Sequence, residues 1–165
     1  MAQININSLL GNEGPSYSEI IVKPYREELV QAGFEQLLSI EDVERALNRK
    51  DDLIQLVVLN SVCGCSARVG RPGAIQSLSN KRVPDSLVTL FAGMEKEAVG
   101  FFRQNYLPGL TPSSPNIALF KNGQLLHILH RYQIERMTAT EIASQLAEWY
   151  DEVCSLQESE KQSSN

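Results

Sequence analysis

Leu53-Ile54-Gln55-Leu56-Val57-Val58-Leu59 runs directly into Asn60-Ser61-Val62-Cys63-Gly64-Cys65-Ser66. The first seven residues hold a single polar side chain, Gln55. A near-continuous apolar run predicts a strand covered on both faces, as a central parallel strand is. The next seven residues leave that strand through small side chains and open a helix. In open α/β sheets, reactive groups collect at the carboxyl ends of strands. Backbone N–H groups at a helix start favour a thiolate over a thiol, and the thiolate is the species that attacks a disulfide. Cys63 and Cys65 therefore form a candidate redox pair. Cysteines two positions apart bridge only where the backbone bends. Gly64 suits that bend, because glycine reaches φ > 0 without a Cβ clash. Strain in so tight a ring predicts a readily reduced disulfide, suited to exchange or isomerisation rather than strong reduction.

Downstream, Cys63 to Leu78 reads as a helix interrupted around Gly70, Pro72 and Gly73. Leu87 to Ala92 is a second buried strand. Met94, Ala98, Phe101 and Phe102 mark a helix that ends before Pro108. Ile117–Phe120 and Leu125–Leu129 flank Asn122-Gly123, a strong hairpin signal. Thr138 and Glu141 form a capping box ahead of the stripe Ile142, Leu146, Trp149 and Val153. Upstream, Ile21, Tyr25 and Leu29 recur at helical spacing with Pro24 near the helix start and Gly33 as its stop. Phe34–Leu38 is a short strand. Ser39 caps a helix whose apolar face is Val43, Ala46 and Leu47.

This order of elements predicts an α/β fold, a mixed central sheet with helices on both faces. It fits a three-layer, thioredoxin-like domain over residues 19–154 with an N-terminal helical extension. Residues 1–18 are expected to be a flexible segment and 155–165 a flexible polar tail. In such folds a cis-proline precedes the hairpin strand, faces the cysteines, and lets the amide before it pair with an extended substrate. Thr111-Pro112-Ser113-Ser114-Pro115-Asn116 occupies that place, and Pro115, which abuts the strand, is chosen over Pro112.

The chain has 165 residues, 42% of them apolar, with 20 acidic and 15 basic side chains. That is one domain able to bury its own core. A net charge of −5 predicts no nucleic-acid partner. No run of eighteen apolar residues predicts a membrane span, and Met1–Leu10 has no signal-peptide pattern, so a cytoplasmic protein is expected. A metal site needs more ligands than two cysteines. His127 and His130, read in one strand, point to opposite faces, so no metal is assigned. Arg68 and Arg71 lie within two turns of the cysteines. They read either as a solvated helix face or as groups that stabilise a thiolate and hold an anionic small thiol. Cys154 reads as a half-buried helical cysteine, Trp149 as core, and the charges of 94–97 and 158–161 as solvated.

Val58-Leu59-Asn60-Ser61-Val62-Cys63-Gly64-Cys65, Arg71-Pro72, Phe91-Ala92-Gly93 with Lys96-Glu97-Ala98, and Pro112-Ser113-Ser114-Pro115 together resemble the bacilliredoxin family from about Ile21 to Cys154. The resemblance implies a thioredoxin-like fold and a thiol–disulfide oxidoreductase that removes bacillithiol from mixed disulfides on client proteins, with weak disulfide isomerase activity described for members. It implies Cys63 as nucleophile and Cys65 as resolving thiol, no bound cofactor, a small thiol as substrate, and a recycling reductase as partner. Gly64, Ser114, Pro115, Arg68 and Arg71 are the candidate substrate-binding residues. Cys154 also matches a cysteine late in the family pattern. The chain departs from that pattern at Arg68-Val69-Gly70, which is more charged, and at Gly73, where the pattern has alanine. A non-catalytic thioredoxin-like adapter and a Cys-x-Cys metal carrier are the competing readings.

Overall fold

The structure, a computed structural model, describes residues 14–163. Residues 1–13, in the segment expected to be flexible, lie outside the described residues. In chain order the elements are α1 (Glu19–Gln31), β1 (Glu35–Gln36), α2 (Ile40–Leu47), β2 (Ile54–Asn60), a π-turn (Ser66–Gly70) continuing into α3 (Arg71–Ser77), β3 (Ser86–Phe91), α4 (Lys96–Tyr106), β4 (Asn116–Lys121), β5 (Gln124–Leu129), α5 (Arg131–Ile134) and α6 (Ala139–Ser163).

β2 is central in the five-stranded order β1-β3-β2-β4-β5. It pairs parallel with β3 and antiparallel with β4, so the sheet is mixed around the strand that its sequence marked as buried. Alternation along β2 divides the core into two layers. Ile54, Leu56 and Val58 pack with Leu29 of α1, Ala74 of α3 and Ile142, Leu146, Trp149 and Val153 of α6. Val57 and Leu59 pack with Val43 and Leu47 of α2 and Val99 and Phe102 of α4. The three-layer α/β architecture is as expected.

Local signals behave as the sequence predicts at the hairpin and the caps. Asn122 and Gly123 take φ values of 53° and 73°, joining β4 to β5. Ser39 Oγ accepts from Asp42 N at 3.1 Å. Thr138 and Glu141 exchange hydrogen bonds at 3.1 and 3.3 Å.

Four expectations change. In α1 the buried stripe is Val22, Arg26 and Leu29, while Ile21 is exposed, because a charged residue replaces an apolar one on the inner face. Arg26 is held there by Glu19, Gln36 and Glu95 and lies over the Phe91 ring. Glu95, read as a solvated charge, is therefore a core-edge partner. Pro24 sits inside α1 rather than in its first turn. Residues 155–163, read as a tail, continue α6, where Gln157 Nε2 donates to Asp52 O at 2.6 Å and Arg82 pairs with Glu158 at 3.1 Å.

The helix after the cysteines is not broken at Gly70-Arg71-Pro72-Gly73. Arg71 N–H bonds Ser66 O, five residues back, and this wider turn carries the helix into Pro72. Gly73 has a packing reason instead. A Cβ there would stand 2.6 Å from Ile142 Cγ2 and 3.1 Å from Ala139 O, so only glycine lets α3 approach α6 this closely. Tyr150 and Ser77 lock the same contact with a 2.9 Å hydroxyl pair. Gly73→Ala, normally favourable inside a helix, should cost about 1–3 kcal/mol by overpacking. Urea unfolding checks this; a stability equal to or above that of the parent would show that the α3–α6 contact has slack.

Candidate active site

β2 ends at Asn60, and everything chemical is built on its next residues. Asn60 Oδ1 accepts from Ser61 N at 2.9 Å, Ser66 Oγ at 3.0 Å and Arg71 Nη1 at 2.9 Å. Its Nδ2 donates to Tyr25 O in α1. One amide therefore ties together the strand end, the π-turn, the helix behind it and the extension helix. Ser61 Oγ accepts from Cys63 N at 3.1 Å, fixing the turn that presents Cys63.

Cys63 stands just ahead of the helix and is partly exposed; Cys65 is buried, and both are free thiols. Their sulfurs are 2.6 Å apart. Cys65 N donates toward Cys63 Sγ at 3.4 Å. Burial opposes ionisation of Cys63, but the Cys65 thiol, the Cys65 and Ser66 N–H groups and the charge of Arg131 outweigh it and hold its pKa below the ordinary 9.0. Burial pushes the Cys65 thiol up to about 11, helped by the neighbouring Cys63 anion. The pair is thus asymmetric: one sulfur ionised first and reachable, the other protonated and covered.

With both thiols free, the φ of Gly64 is not left-handed, and it lies at the helix start. The sulfurs converge because they flank the first helical residue, not because the backbone reverses. A Cβ on Gly64 would meet Arg68 Nη2 at 3.5 Å, an ordinary contact. Arg68 itself curls back to Gly64 O at 3.4 Å and is exposed.

Arg71 is neither a solvated residue nor a ligand-facing one. It is 1% exposed, bonded to Asn60, Ser61 O and Ser66 Oγ, paired with Glu28 at 2.8 Å, and lies 4.7 Å over the Tyr25 ring. Ser114-Pro115 is a cis peptide, and Pro115 Cγ lies 4.0 Å from where a Gly70 Cβ would be, against the π-turn. The structure thus brings Cys63, Gly64, Cys65, Arg68 and Pro115 to one end of the sheet, with Arg71 underneath.

Arg131 was not singled out from the sequence. Its Nη1 donates to Ser114 O at 3.4 Å, and its charge acts on Cys63. The hairpin register contains the signal: Leu129 faces Ile117 and Asn116 faces Leu59, so residues just past β5 return to the end of β2. A register shift between Leu119 and Phe120 conceals it. The two histidines do not share a strand. His127 in β5 stacks on Trp149, whereas His130 caps α5 and meets Ser113 Oγ. Among the described residues no group of three His, Cys, Asp or Glu side chains could hold a metal ion. Cys154 is half-buried in α6, remote from this network in its partners, and burial raises its pKa.

The family model described as disulphide isomerase matches residues 17–154. A bacilliredoxin of Halalkalibacterium halodurans is 44% identical over 138 residues, covering 84% of this chain and 94% of that one. The chain belongs to the bacilliredoxin family. A bacilliredoxin of Cytophaga hutchinsonii is also 44% identical, over 83% of this chain and 99% of its own. A solved protein described as an oxidoreductase with a thioredoxin fold superposes with a TM-score of 0.50 at 17% identity, covering 72% of this chain and 96% of that one. The fold is therefore thioredoxin-like. Bacilliredoxin membership and fold together give a role of the thiol–disulfide oxidoreductase type. No helix among the described residues is long and apolar enough to cross a membrane.

Two outcomes follow from the geometry. Glu28→Gln leaves the buried Arg71 cation without its anion. It should cost about 1–2 kcal/mol, below the figure for a fully buried pair because Glu28 is 44% exposed and screened. Denaturant unfolding of the reduced protein measures it, and no loss would mean that water replaces the carboxylate. Arg131→Gln should move the pH profile of Cys63 alkylation upward, since it removes a charge that favours the thiolate. An unmoved profile would assign the low pKa to the turn alone.

Proposed function

We propose that this bacilliredoxin reduces mixed disulfides between client proteins and a low-molecular-weight thiol, bacillithiol by family resemblance. The observation that carries the reading is the pair of free sulfurs 2.6 Å apart with opposed acidities. The Cys63 thiolate attacks the small-thiol sulfur of the mixed disulfide. A Cys63–small-thiol disulfide forms, the old S–S bond breaks, and the client leaves as a thiolate that takes up a proton. Attack goes to the accessible sulfur and comes from the thiol already ionised near ambient pH.

Cys63 then carries no charge. Two of the causes that keep Cys65 protonated, its hydrogen bond to the Cys63 sulfur and that sulfur's negative charge, disappear with the anion, leaving burial and the charge of Glu135 opposed by Arg131. Cys65 loses its proton and attacks Cys63 Sγ. The small thiol is expelled as a thiolate and the Cys63–Cys65 disulfide closes. The two electrons have passed from the cysteine pair to the mixed disulfide, leaving the client and the small thiol both reduced, and a recycling reductase restores the pair. The backbone around Ser114-Pro115, beside the π-turn and bonded by Arg131, is the edge on which an extended client segment would lie. Gly64 and Arg68 lie exposed at the start of the cysteine helix. The same first attack on a client disulfide, followed by return attack from a second client thiol, is the isomerase step. A cytoplasmic setting supplies the reductant.

Cys65→Ala should strip the small thiol from a client and then stall as a stable adduct on Cys63, because the intramolecular resolving thiol is gone. Cys63→Ala should do neither. Intact mass of both proteins after incubation with a thiolated client reads the result. An adduct forming on Cys65 in the Cys63 variant at the parent rate would reverse the roles, and capture of no adduct by any variant would reject thiol transfer.

A further inference from the structure

Ser113, which leads into Ser114-Pro115, lines a cavity of about 750 Å³ together with Arg103, Thr111, His130, Arg131 and Tyr132. Arg103 enters from α4. Its Nη2 donates to Ser113 O at 3.2 Å, but its Nε is buried with no hydrogen-bond partner. Among the described residues no carboxylate pairs with it. The two buried guanidinium groups are supplied with anions, Arg26 with Glu19 and Glu95 and Arg71 with Glu28, whereas the part-buried Arg103 is not. Burying a cation without an anion is costly, and burial draws the Arg103 pKa down.

The neighbouring wall is different. Arg131 bonds the next carbonyl along, Ser114 O, acts on Cys63, and is paired at 2.7 Å with Glu135, a carboxylate that also lines the cavity. Consecutive Cα atoms lie about 3.8 Å apart, so the two guanidinium groups hang from adjacent peptides of the segment that flanks the cysteines. The His130 ring, stacked on Tyr132 and bonded to Ser113 Oγ at 3.2 Å, adds a polar edge and an aromatic face.

We infer that this cavity receives the anionic end of the small thiol, with Arg103 holding a carboxylate while the thiol's sulfur is bonded to Cys63. This rests on the thiol-transfer reading above. A guanidinium fork donates to both oxygens of a carboxylate, and a neutral thiol of equal size leaves Arg103 unpaired. Selection among small thiols therefore comes from a site separate from the sulfur chemistry.

Two substrates isolate the charge: mixed disulfides of one cysteine peptide with mercaptosuccinate and with its neutral diamide. Transfer to Cys63 is followed by intact mass in the Cys65→Ala background. In parallel, S-methyl mercaptosuccinate, which cannot exchange, is titrated into the full chain and followed by NMR. The acid should transfer about tenfold faster than the diamide, the scale of one charge-assisted pair. Arg103→Gln should collapse that ratio to within about twofold, and Arg103→Lys should keep an intermediate ratio. The S-methyl compound should shift His130 and Tyr132 resonances in the parent and not in Arg103→Gln. An unchanged ratio in Arg103→Gln, or equal binding by parent and variant, overturns the inference and leaves thiol transfer standing. Binding that is lost in Arg103→Gln while neither substrate transfers overturns the thiol-transfer reading, and with it the role given to the cavity.

Discussion

The buried cation of Arg71 organises this end of the molecule. A guanidinium 1% exposed must satisfy its donors internally, and it does so by drawing in Asn60 at the end of β2, Ser61 and Ser66 around the cysteines, and Glu28 in α1. The partners come from the end of β2, the cysteine loop that follows it, and α1. Moving any one of them leaves a charge or a carbonyl unpaired away from water, which is where electrostatic errors cost most. The cysteine loop is thus set by a polar framework beneath it rather than by apolar packing. The helix preceding β1 is part of that framework, since it contributes Glu28, the Tyr25 ring and the Tyr25 carbonyl.

On that framework two chemically identical side chains become different. Cys63 looks outward, takes the N–H groups of a helix start, and is stabilised as an anion by Arg131. Cys65 is covered and shares its surroundings with that anion. Their acidities are linked: the Cys63 sulfur and its charge are among the causes that raise the Cys65 pKa. Beside them, Arg103 lines the same cavity as Arg131, with its Nε unpartnered.

What could be read from the sequence was local in origin. The apolar run of β2, the Asn-Gly hairpin, the Ser39 and Thr138 caps and the position of Cys63-Gly64-Cys65 each depend on residues within a few positions. What was not legible depends on distant partners. Gly73 makes sense only once Ile142 is known to face it. Arg26 carries no local signal, and Arg71 reads as a solvated face or a thiol-facing group, until their carboxylates arrive from elsewhere in the fold. The turn of the free thiols is set by Asn60 and Ser61, whose side-chain hydrogen bonds to the backbone no local signal announces. Arg131 returns to the cysteines through a hairpin register that a bulge displaces by one residue.

The account turns on which sulfur ionises first. A pH titration of the reduced, full chain with ¹³Cβ-labelled cysteine follows Cys63 and Cys65 separately within the intact pair. Cys63 should move first, below its ordinary 9.0, with Cys65 following near 11. Cys65 moving first, or both moving together, would contradict the assignment of nucleophile and resolving thiol.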